Sequence, residues 1–379
     1  MSAQRILVRG VNWLGDAVMS TPALLRLRQA RPQAHITLLT LDKLADLWRH
    51  HPAIDTVITF TRNDAVWQVA RRLRSEQFHW AVVLPNSWRS ALEVWLARIP
   101  QRLGYAGQGR GTLLTQAIKP RPGAVRMRKR SASEIRELIR RPESLTSPGR
   151  DSAAHHIHQY LHLAAALGAN PEPLPPQLVV STEEVQDALA RFGLESDGAS
   201  ARPLLGLNPG AEYGPAKRWL EDRFVAAALE MRKRADCRWV IFGGKGDIEL
   251  ANRIAAGIES AGSGEAGGPA RSMNRAVWNL AGSTGLRELC ALLKACRALL
   301  TNDTGPMHVA AAVGTPVVAP FGSTSPVLTG PGLPGDPRHH LLQAAVSCAP
   351  CFLRECPIDF RCMASLTVER VVQALMKCR

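Results

Sequence analysis

Residues 5–28, RILVRGVNWLGDAVMSTPALLRLR, decide the fold because they combine three local patterns in succession. Residues 5–9 are a short apolar run typical of a buried strand, residues 10–15 form a loop between two glycines, and residues 16–28 have a helical pattern. A second strand-like run, residues 35–40, follows. Parallel neighbouring strands need a crossover helix, so this order predicts a βαβ unit within a parallel sheet.

The alternation of strands and helices continues along the chain and then repeats. Further apolar runs predict strands at residues 55–59, 80–84, 203–208, 238–242, 298–302 and 316–321. Residues 168–178, GANPEPLPPQL, are proline-rich and aperiodic, which indicates an interdomain linker. We therefore predict an α/β fold with two Rossmann-like parallel-sheet domains, residues 1–180 and 181–379, facing a central cleft that binds ligands.

Three segments outside the predicted sheets have distinct patterns. Residues 367–377 predict an amphipathic helix that should dock on a core and could pack back on the first domain. Residues 130–151, which are charged and serine-rich, and residues 261–271, AGSGEAGGPAR, are predicted to be mobile excursions.

Composition and charge narrow the class of protein. Of 379 residues, 46% are hydrophobic and 21% are charged, and no run of 18 apolar residues could span a bilayer. The first residues, MSAQRILVRG, lack a secretory signal, so a cytoplasmic location is expected. The formal net charge is +15, with +13 in residues 1–180 and +2 in residues 181–379. This asymmetry indicates an anionic partner for the first domain.

The glycine loop after the first strand argues against an ATPase. Gly10 and Gly15 have the spacing of P-loop glycines, but Asp16 and Ala17 follow where lysine and serine or threonine are needed. A carboxylate at a helix N-terminus stays ionised through the helix dipole and could act as a base. From position alone, Asp16 could equally be a helix cap. No GxGxxG sequence follows a predicted strand, which argues against a dinucleotide dehydrogenase.

The segment Thr301–His308 joins a predicted strand of the second domain to a helix. Its small residues Thr304 and Gly305 would let backbone N–H groups approach a diphosphate, which the helix dipole favours. Asp303 could accept hydrogen bonds from sugar hydroxyls, whereas His308 could contact phosphate or merely fill the helix face.

Two further loops of the second domain follow predicted strands. In the loop 208–219, Lys217 and Arg218 could neutralise a leaving phosphate or form a solvated surface pair. In the tight turn 242–247, Asp247 could hold ribose hydroxyls, as could Glu249 just beyond it, although simple turn chemistry also explains the sequence.

A cluster of cysteines lies near the C-terminus. Cys348, Cys351, Cys356 and Cys362 are enough thiolates for a tetrahedral metal site. The last two spacings are irregular compared with zinc ribbons, so reduced structural thiols or an adventitious disulfide are favoured over structural zinc. No HExxH, GxSxG or paired-carboxylate pattern supports a hydrolase.

Taken together, these motifs resemble the bacterial glycosyltransferases of family 9 over nearly the whole chain. The segments that carry the resemblance are Arg9–Pro22, Leu84–Leu92, Asn208–Trp219, Asn302–His308 and the cysteine cluster that begins at Cys348. The resemblance implies a GT-B fold and inverting transfer of L-glycero-D-manno-heptose from ADP-heptose to the first heptose of the lipopolysaccharide inner core. The implied acceptor is Kdo-lipid A that carries one heptose, and no cofactor is required.

The resemblance also implies roles for residues of this sequence. Asp16 matches the general base, and Lys217 matches the lysine that contacts the donor diphosphate. The implied donor-binding residues are Asn208, Gly210, Lys217, Asp247, Thr284, Leu286, Asp303, Thr304, Gly305 and His308. The acceptor-binding candidates are Asn12, Trp13, Arg62, Asn86, Arg89 and Arg110, with Arg126 and Arg128 as further basic residues. No divalent metal is expected, because Lys217 and the helix that begins near Pro306 supply positive charge.

The charge of the first domain agrees with the implied acceptor, whose carboxylates and phosphates would be attracted to a basic surface. Trp13 and Trp88 lie in the same region of the sequence, and no amphipathic anchor is evident. We therefore expect a cytoplasmic protein that associates peripherally, in a salt-sensitive way, with the inner face of the cytoplasmic membrane.

Three alternatives stay open at this point. Heptosyltransferase I, or a transferase of another nucleotide sugar, would share the fold and the donor loops. A nucleic-acid-binding protein would explain a pI near 10.1, but only 5% of residues are aromatic and no known binding module is present, so no nucleic-acid partner is expected. A catalytically silent carbohydrate-binding paralogue is disfavoured by the intact set of Asp16, Lys217 and Asp303.

Overall fold

The chain forms two compact units. The computed structural model describes residues 4–107, 109–141, 152–195, 202–260 and 275–378. Unit 1 comprises residues 1–125 and 153–179, and unit 2 comprises residues 126–152 and 180–379. Each unit contains a six-stranded parallel sheet flanked by helices, which confirms the predicted α/β fold with two Rossmann-like sheets. No helix in the described ranges is long and apolar enough to cross a membrane.

The strands and helices are numbered in chain order. The strands are β1 (Arg5–Arg9), β2 (His35–Leu41), β3 (Thr56–Phe60), β4 (Trp80–Val83), β5 (Gln101–Tyr105), β6 (Gln116–Ile118), β7 (Leu204–Asn208), β8 (Arg238–Ile241), β9 (Val277–Asn279), β10 (Ala298–Thr301), β11 (Val317–Phe321) and β12 (His340–Gln343). The α-helices are α1 (Leu14–Ala30), α2 (Val66–Ser75), α3 (Trp88–Leu96), α4 (Ala132–Arg140), α5 (Ile157–Ala165), α6 (Thr182–Arg191), α7 (Glu221–Ala235), α8 (Ile248–Ser260), α9 (Leu286–Ala295), α10 (Gly305–Ala312), α11 (Pro326–Thr329), α12 (Arg361–Ala364) and α13 (Val368–Lys377). Short 3-10 helices include Asp42–Trp48, Arg110–Leu113, Ser152–Ala154, Pro215–Lys217 and Lys245–Asp247.

The sheet of unit 1 has the strand order β3-β2-β1-β4-β5-β6, and all neighbouring strands are parallel. The chain winds outward from β1 to β3, then returns to place β4 on the other side of β1, where Arg9 lies opposite Val83. At such a reversal the loops after the two central strands diverge and leave a crevice at their carboxyl ends. The residues that follow β1 and β4 therefore define the candidate site of unit 1.

Helix α1 is buried around most of its circumference and packs against α5. Pro22 lies inside it and has no N–H group for the carbonyl of Val18. That carbonyl accepts a 2.9 Å hydrogen bond from the Thr21 hydroxyl. The side chain thus satisfies a buried acceptor that the backbone cannot, and the helix continues past the proline.

Unit 2 repeats the topology of unit 1 with the order β12-β11-β10-β7-β8-β9, again with parallel neighbours. The central pair is β7 and β10, with Asn208 opposite Thr301 at their carboxyl ends. This reversal point brings together two segments that are about ninety residues apart in sequence, and it positions the candidate donor site.

Helix α13 packs within unit 2, against α7 and β11. Val371, Val372 and Leu375 are at most 2% exposed and belong to the same apolar cluster as Phe224 and Trp239. The predicted docking of this helix on a core is correct. Its apolar face is buried in the core of unit 2, and the suggested packing on the first domain stays a prediction.

Residues 130–141 were predicted to be part of a mobile excursion, and the structure shows an anchored helix. The Ser131 hydroxyl accepts from Glu134 N while the Glu134 carboxylate accepts from Ser131 N, which forms a capping box at the start of α4. Ile135 is 1% exposed, and Arg130 N donates to Cys351 O at 3.0 Å. The sequence analysis missed this helix because Ile135, its one buried residue, is flanked in the sequence by charged residues. Residues 142–151 and 261–271 lie outside the described residues.

The division of the chain into units, which counts residues 126–152 with unit 2, also changes the charge balance expected from a division at residue 180. This segment contains eight basic and four acidic residues. Unit 1 then has a formal net charge of +9 and unit 2 a charge of +6. The predicted asymmetry is therefore much weaker between the units than between the two halves of the sequence.

A buried ion pair joins the end of β1 to α3. Arg9 Nε lies 2.9 Å from Glu93 Oε2, and the two side chains are 1% and 0% exposed. The other carboxylate oxygen of Glu93 accepts from Arg89 Nε at 3.0 Å. The Arg9 guanidinium also lies over the Phe60 ring, 4.4 Å from its centroid, and donates to Asn12 Oδ1 at 3.0 Å. Burial lowers the pKa of Arg9, and the Glu93 carboxylate opposes that shift.

We predict that Glu93→Ala destabilises the protein by about 3–5 kcal/mol, because it leaves the Arg9 guanidinium buried without its counter-charge. Chemical denaturation measures this loss. The matched control is Glu76→Ala, which removes the carboxylate from the half-exposed Arg5–Glu76 pair and should cost about 0–1 kcal/mol. Equal losses for the two variants would contradict the structural role of the Arg9–Glu93 pair.

Candidate active site

The reversal point of unit 2 contains a network of polar side chains. Asn208, the last residue of β7, donates from Nδ2 to the hydroxyls of Thr301 and Thr304 at 3.3 and 3.2 Å. Asn302 accepts from Trp219 N at 2.9 Å and donates to Pro209 O at 2.7 Å. These bonds fix the loop after β7 to the loop after β10. Asn208 therefore has a structural task beside its predicted donor-binding role.

Lys217 and Asp303, predicted separately for the donor phosphate and the donor sugar, form an ion pair. Lys217 Nζ lies 2.7 Å from Asp303 Oδ2, and the side chains are 15% and 5% exposed. Thr324, which follows β11, donates to the same oxygen at 2.6 Å. Among the described residues, Asp303 Oδ1 has no hydrogen-bond partner. Sequence reasoning missed Thr324, since nothing in its short polar loop distinguishes it from neighbouring serines.

The loop that carries Lys217 is held on the segment after Cys351. Gly214 has a φ of +152°, and a Cβ there would lie 2.6 Å from Arg354 O, so only glycine fits. Ala216 N donates to that carbonyl at 2.9 Å, and the Tyr213 hydroxyl donates to Phe352 O at 2.8 Å. The Lys217 ammonium lies 5.0 Å from the centroid of the Tyr213 ring, a cation–π contact that further fixes its position.

Gly210 and Asp247 are in close contact, which explains the glycine. A Cβ at Gly210 would lie 2.4–2.5 Å from the Asp247 carboxyl atoms. Asp247 accepts from Gly244 N at 3.0 Å, and Arg218 lies 3.7 Å from its other oxygen. The turn role of Asp247 is thus visible in the structure, and its side chain is 21% exposed beside Arg218.

Helix α10 begins at the same reversal point. Thr304 is its N-cap and makes no side-chain capping bond; its hydroxyl accepts from Asn208, and Pro306 lies in the first turn. The N-terminus of such a helix favours an anion. His308 is only 5% exposed, as part of a helix whose residues 307–312 are all buried. Thr284 and Leu286 are half-buried at the start of α9, after β9.

In unit 1, Asp16 lies in the first turn of α1 but does not cap the helix. The N-cap is Trp13, and it makes no side-chain capping bond. The Tyr160 hydroxyl donates to Asp16 Oδ1 at 3.0 Å, and His156 Nδ1 lies 3.9 Å from the same oxygen. In the part of the chain that is described, Asp16 Oδ2 has no partner, and the side chain is 26% exposed. The alternative of a capping aspartate is therefore wrong.

Helix α5 supplies the partners of Asp16, and sequence reasoning missed them. The rings of His156 and Tyr160 are stacked with centroids 5.4 Å apart. Burial, followed by the charge of Asp16, raises the pKa of Tyr160 well above its ordinary value, so the phenol remains a proton donor to the carboxylate. The only signal in the sequence is the unusual density of histidine in residues 155–162.

The acceptor-binding candidates of unit 1 divide into buried and exposed groups. Arg110 is 1% exposed; it donates to Tyr105 O at 2.9 Å and to Ser87 O at 3.1 Å. Burial lowers its pKa, and the predicted acceptor contact does not agree with this position. Asn12 accepts from Arg9, and Arg89, 38% exposed, donates to Glu93.

The remaining acceptor candidates are exposed. Arg62 and Asn86 lie in exposed loops, and Trp13 is 45% exposed. Arg126 and Arg128 are exposed but belong to unit 2, where Arg128 pairs with Glu134 at 2.6 and 3.1 Å. Of the predicted set in unit 1, Trp13, Arg62 and Asn86 are thus exposed, Asn12 and Arg89 are partly exposed, and Arg110 is buried.

The four clustered cysteines line one small apolar cavity together with Ile135 and Phe360. All are free thiols, and burial followed by the neighbouring thiols raises the pKa of Cys362 to about 12. Across the described ranges, no group of three or more His, Cys, Asp or Glu side chains is arranged to hold a metal ion. A larger cavity of about 410 Å³ lies between α7, α8 and the loop 209–219, and Lys217 and Asp303 do not line it.

Two parallel sheets with the same reversed strand order match the GT-B fold of solved glycosyltransferase structures. The family model for glycosyltransferase family 9 (heptosyltransferase) matches residues 66–130 and 146–360. The chain belongs to this family, which confirms the resemblance seen in the sequence.

Individual relatives agree with the family assignment. Lipopolysaccharide heptosyltransferase 2 of Salmonella typhimurium is 33% identical over 342 residues, covering 86% of this chain and 85% of that protein. The solved structure of E. coli ADP-heptose lipopolysaccharide heptosyltransferase II has a TM-score of 0.73 and 29% identity, covering 98% of each chain. Lipopolysaccharide heptosyltransferase 1 of Pseudomonas aeruginosa is 26% identical over 362 residues, covering 93% of this chain and 87% of that protein.

We predict that Tyr160→Phe lowers kcat by about 10-fold to 100-fold, the value of a hydrogen bond to a charged group, with little change in the KM for the donor. Steady-state transfer kinetics measure this. The matched control is Tyr105→Phe, which removes a hydroxyl that donates to Gln159 O instead of to Asp16. Equal rates for the two variants would show that the Tyr160 hydroxyl does not position Asp16.

Proposed function

We propose that the protein transfers L-glycero-D-manno-heptose from ADP-heptose to the first heptose of the lipopolysaccharide inner core. Family membership and the greater similarity to heptosyltransferase 2 than to heptosyltransferase 1 support this choice of reaction. The observation that carries the proposal is the pairing of Lys217 with Asp303 at the reversal point of unit 2, inside the residues that match the family.

In this proposal unit 2 holds the donor. The diphosphate lies at the N-terminus of α10, where Thr304 and Gly305 begin the helix and the helix dipole attracts negative charge. The Lys217 ammonium donates hydrogen bonds to the carboxylate and the carbonyl oxygen of Asp303, and its remaining N–H donates to the diphosphate. Asp303 Oδ1 accepts from hydroxyls of the donor heptose. The nucleoside lies toward Thr284, Leu286 and Asp247.

Unit 1 provides the base. The acceptor hydroxyl attacks the anomeric carbon, its proton passes to Asp16 Oδ2, and the bond from that carbon to the diphosphate breaks to release ADP. The configuration at the carbon is inverted. Tyr160 holds the carboxylate through Oδ1, so that the second oxygen faces the hydroxyl. The positive charge that stabilises the leaving ADP comes from Lys217 and α10, and no divalent metal is required.

The acceptor is recognised mainly through its negative charge. Unit 1 has a formal net charge of +9, and Arg62 is exposed beside Asn86 and Trp13 as a candidate contact for Kdo carboxylates and phosphates. We place the enzyme in the cytoplasm, peripherally associated with the inner face of the cytoplasmic membrane, where such an acceptor is available. No nucleic acid is expected as a partner.

The test is ADP release by the purified protein with ADP-heptose and an acceptor that carries one heptose, in excess chelator. Release is expected with this acceptor and not with the Kdo-only acceptor. Release with the Kdo-only acceptor would assign the protein to heptosyltransferase I, and release with neither would point to another sugar donor or a silent paralogue. Activity that disappears in chelator would contradict the metal-independent mechanism.

We predict that Asp16→Asn lowers kcat by about 100-fold to 10,000-fold, the usual contribution of a general base, while the affinity for ADP-heptose is unchanged. Donor titration calorimetry and single-turnover transfer separate the two effects. Asp42→Asn, in the 3-10 helix that follows β2, is the control and should retain full turnover. Near-normal turnover of Asp16→Asn would remove Asp16 from the role of base.

A further inference from the structure

Helix α3 has apolar residues on two faces, and only one of them is buried. Ala91 and Val94 face the core of unit 1. On the other side, Trp88, Trp95 and Leu96 are 46%, 44% and 36% exposed, and the half-buried Leu92 lies between them. The spacing i, i+4, i+7 and i+8 places these residues along one side of the helix. We call Trp88, Leu92, Trp95 and Leu96 the α3 stripe.

The neighbouring helix α2, which packs against α3, exposes a matching set of side chains. Trp67 is 61% exposed, the most exposed of the large apolar residues on the described surface. Arg71 and Arg74 are also exposed and follow Trp67 at i+4 and i+7. The two packed helices therefore expose both large apolar side chains and arginines.

The segment that contains these two helices has a net positive charge. Residues 61–98 contain six arginines, no lysine and three acidic residues. All three carboxylates are paired with arginine: Asp64 with Arg72 at 2.7 Å, Glu76 with Arg5 at 2.7 Å, and Glu93 with Arg9 at 2.9 Å. The partner that complements this surface is therefore anionic, and it must also accept exposed tryptophan and leucine side chains.

We propose that the α3 stripe, together with Trp67 of α2, docks the protein on a lipid bilayer that contains anionic lipids. Tryptophan and leucine insert at the boundary between headgroups and acyl chains, while arginine remains among the headgroup phosphates. A nucleic acid would use the arginines and stack on tryptophan but would leave Leu92 and Leu96 in water. The proposal rests on the proposed function, whose acceptor is a lipid, and it supplies the amphipathic anchor that was not evident in the sequence.

The first test is co-sedimentation of the full chain with phosphatidylcholine vesicles that contain or lack phosphatidylglycerol. Wild-type protein should bind the anionic vesicles, and salt should weaken this binding. Trp95→Asp and Leu96→Asp should each reduce it at least about tenfold, because each removes a large apolar group from the interface. Met376→Asp changes a side chain that is 42% exposed on α13 of unit 2, and it should bind like the wild type.

Unfolding curves that match the wild type establish that the variants fold. Binding of Trp95→Asp to anionic vesicles at the wild-type level would overturn the proposal. A dimeric wild type that becomes monomeric in Trp95→Asp with unchanged vesicle binding would also overturn it, because the α3 stripe would then be a contact between copies. Equal loss by Met376→Asp would overturn it as well, since binding would then not depend on this surface.

A second measurement separates this surface from the active site. ADP release is compared for a water-soluble acceptor fragment and for the acceptor embedded in anionic vesicles. Trp95→Asp should keep the rate on the soluble fragment and lose at least about tenfold on the vesicles. Equal rates on vesicles for variant and wild type would contradict the proposal. Absence of ADP release with both acceptors would refute the proposed function, and vesicle binding would still test the surface by itself.

Discussion

The reversal of strand order beside the first strand of each sheet is the constraint on which both candidate sites depend. In unit 1 it places the loops after β1 and β4 side by side, and in unit 2 it does the same for the loops after β7 and β10. Backbone hydrogen bonds and buried side chains set this order, not the polar residues of the loops. As a result, Lys217 and Asp303 are 86 residues apart in sequence and 2.7 Å apart in space.

Each reversal point contains an ion pair, and the two pairs differ in what they can do. The Arg9–Glu93 pair is closed to solvent, and its atoms are satisfied by protein groups, so it holds β1 and α3 together. The Lys217–Asp303 pair is partly accessible, with the lysine 15% exposed, so it can respond to a ligand. Removing one partner of the first pair affects folding, whereas the second can rearrange its bonds when an anion binds.

The sequence was sufficient to predict the strands at the two reversal points. Short apolar runs before glycine-rich or polar loops define β1, β7 and β10 without tertiary information. The same loops contain Asp16, Lys217 and Asp303, which is why these residues could be named. Periodicity can predict that α5 is amphipathic, but it cannot predict that α5 packs on α1 and brings Tyr160 to Asp16.

The errors have a common physical cause. Arg110 was predicted to contact the acceptor, yet its guanidinium is buried against the backbone carbonyls of Tyr105 and Ser87. Residues 130–141 have the composition of a mobile segment, yet Ile135 and the backbone of Arg130 anchor them in unit 2. In both cases a long-range contact outweighs local composition. The position of Thr324 beside Asp303 is another such contact.

The two aspartates of the proposed mechanism are held in the same way. The Oδ1 atom of Asp16 faces Tyr160 and His156, and the Oδ2 atom of Asp303 accepts from Lys217 and Thr324. Within the described residues, the second oxygen of each carboxylate has no protein partner. One engaged oxygen fixes the orientation of the carboxylate, and the other remains available for a substrate hydroxyl. A carboxylate bound through both oxygens would be too well satisfied to act, whereas one bound through neither would lose its orientation.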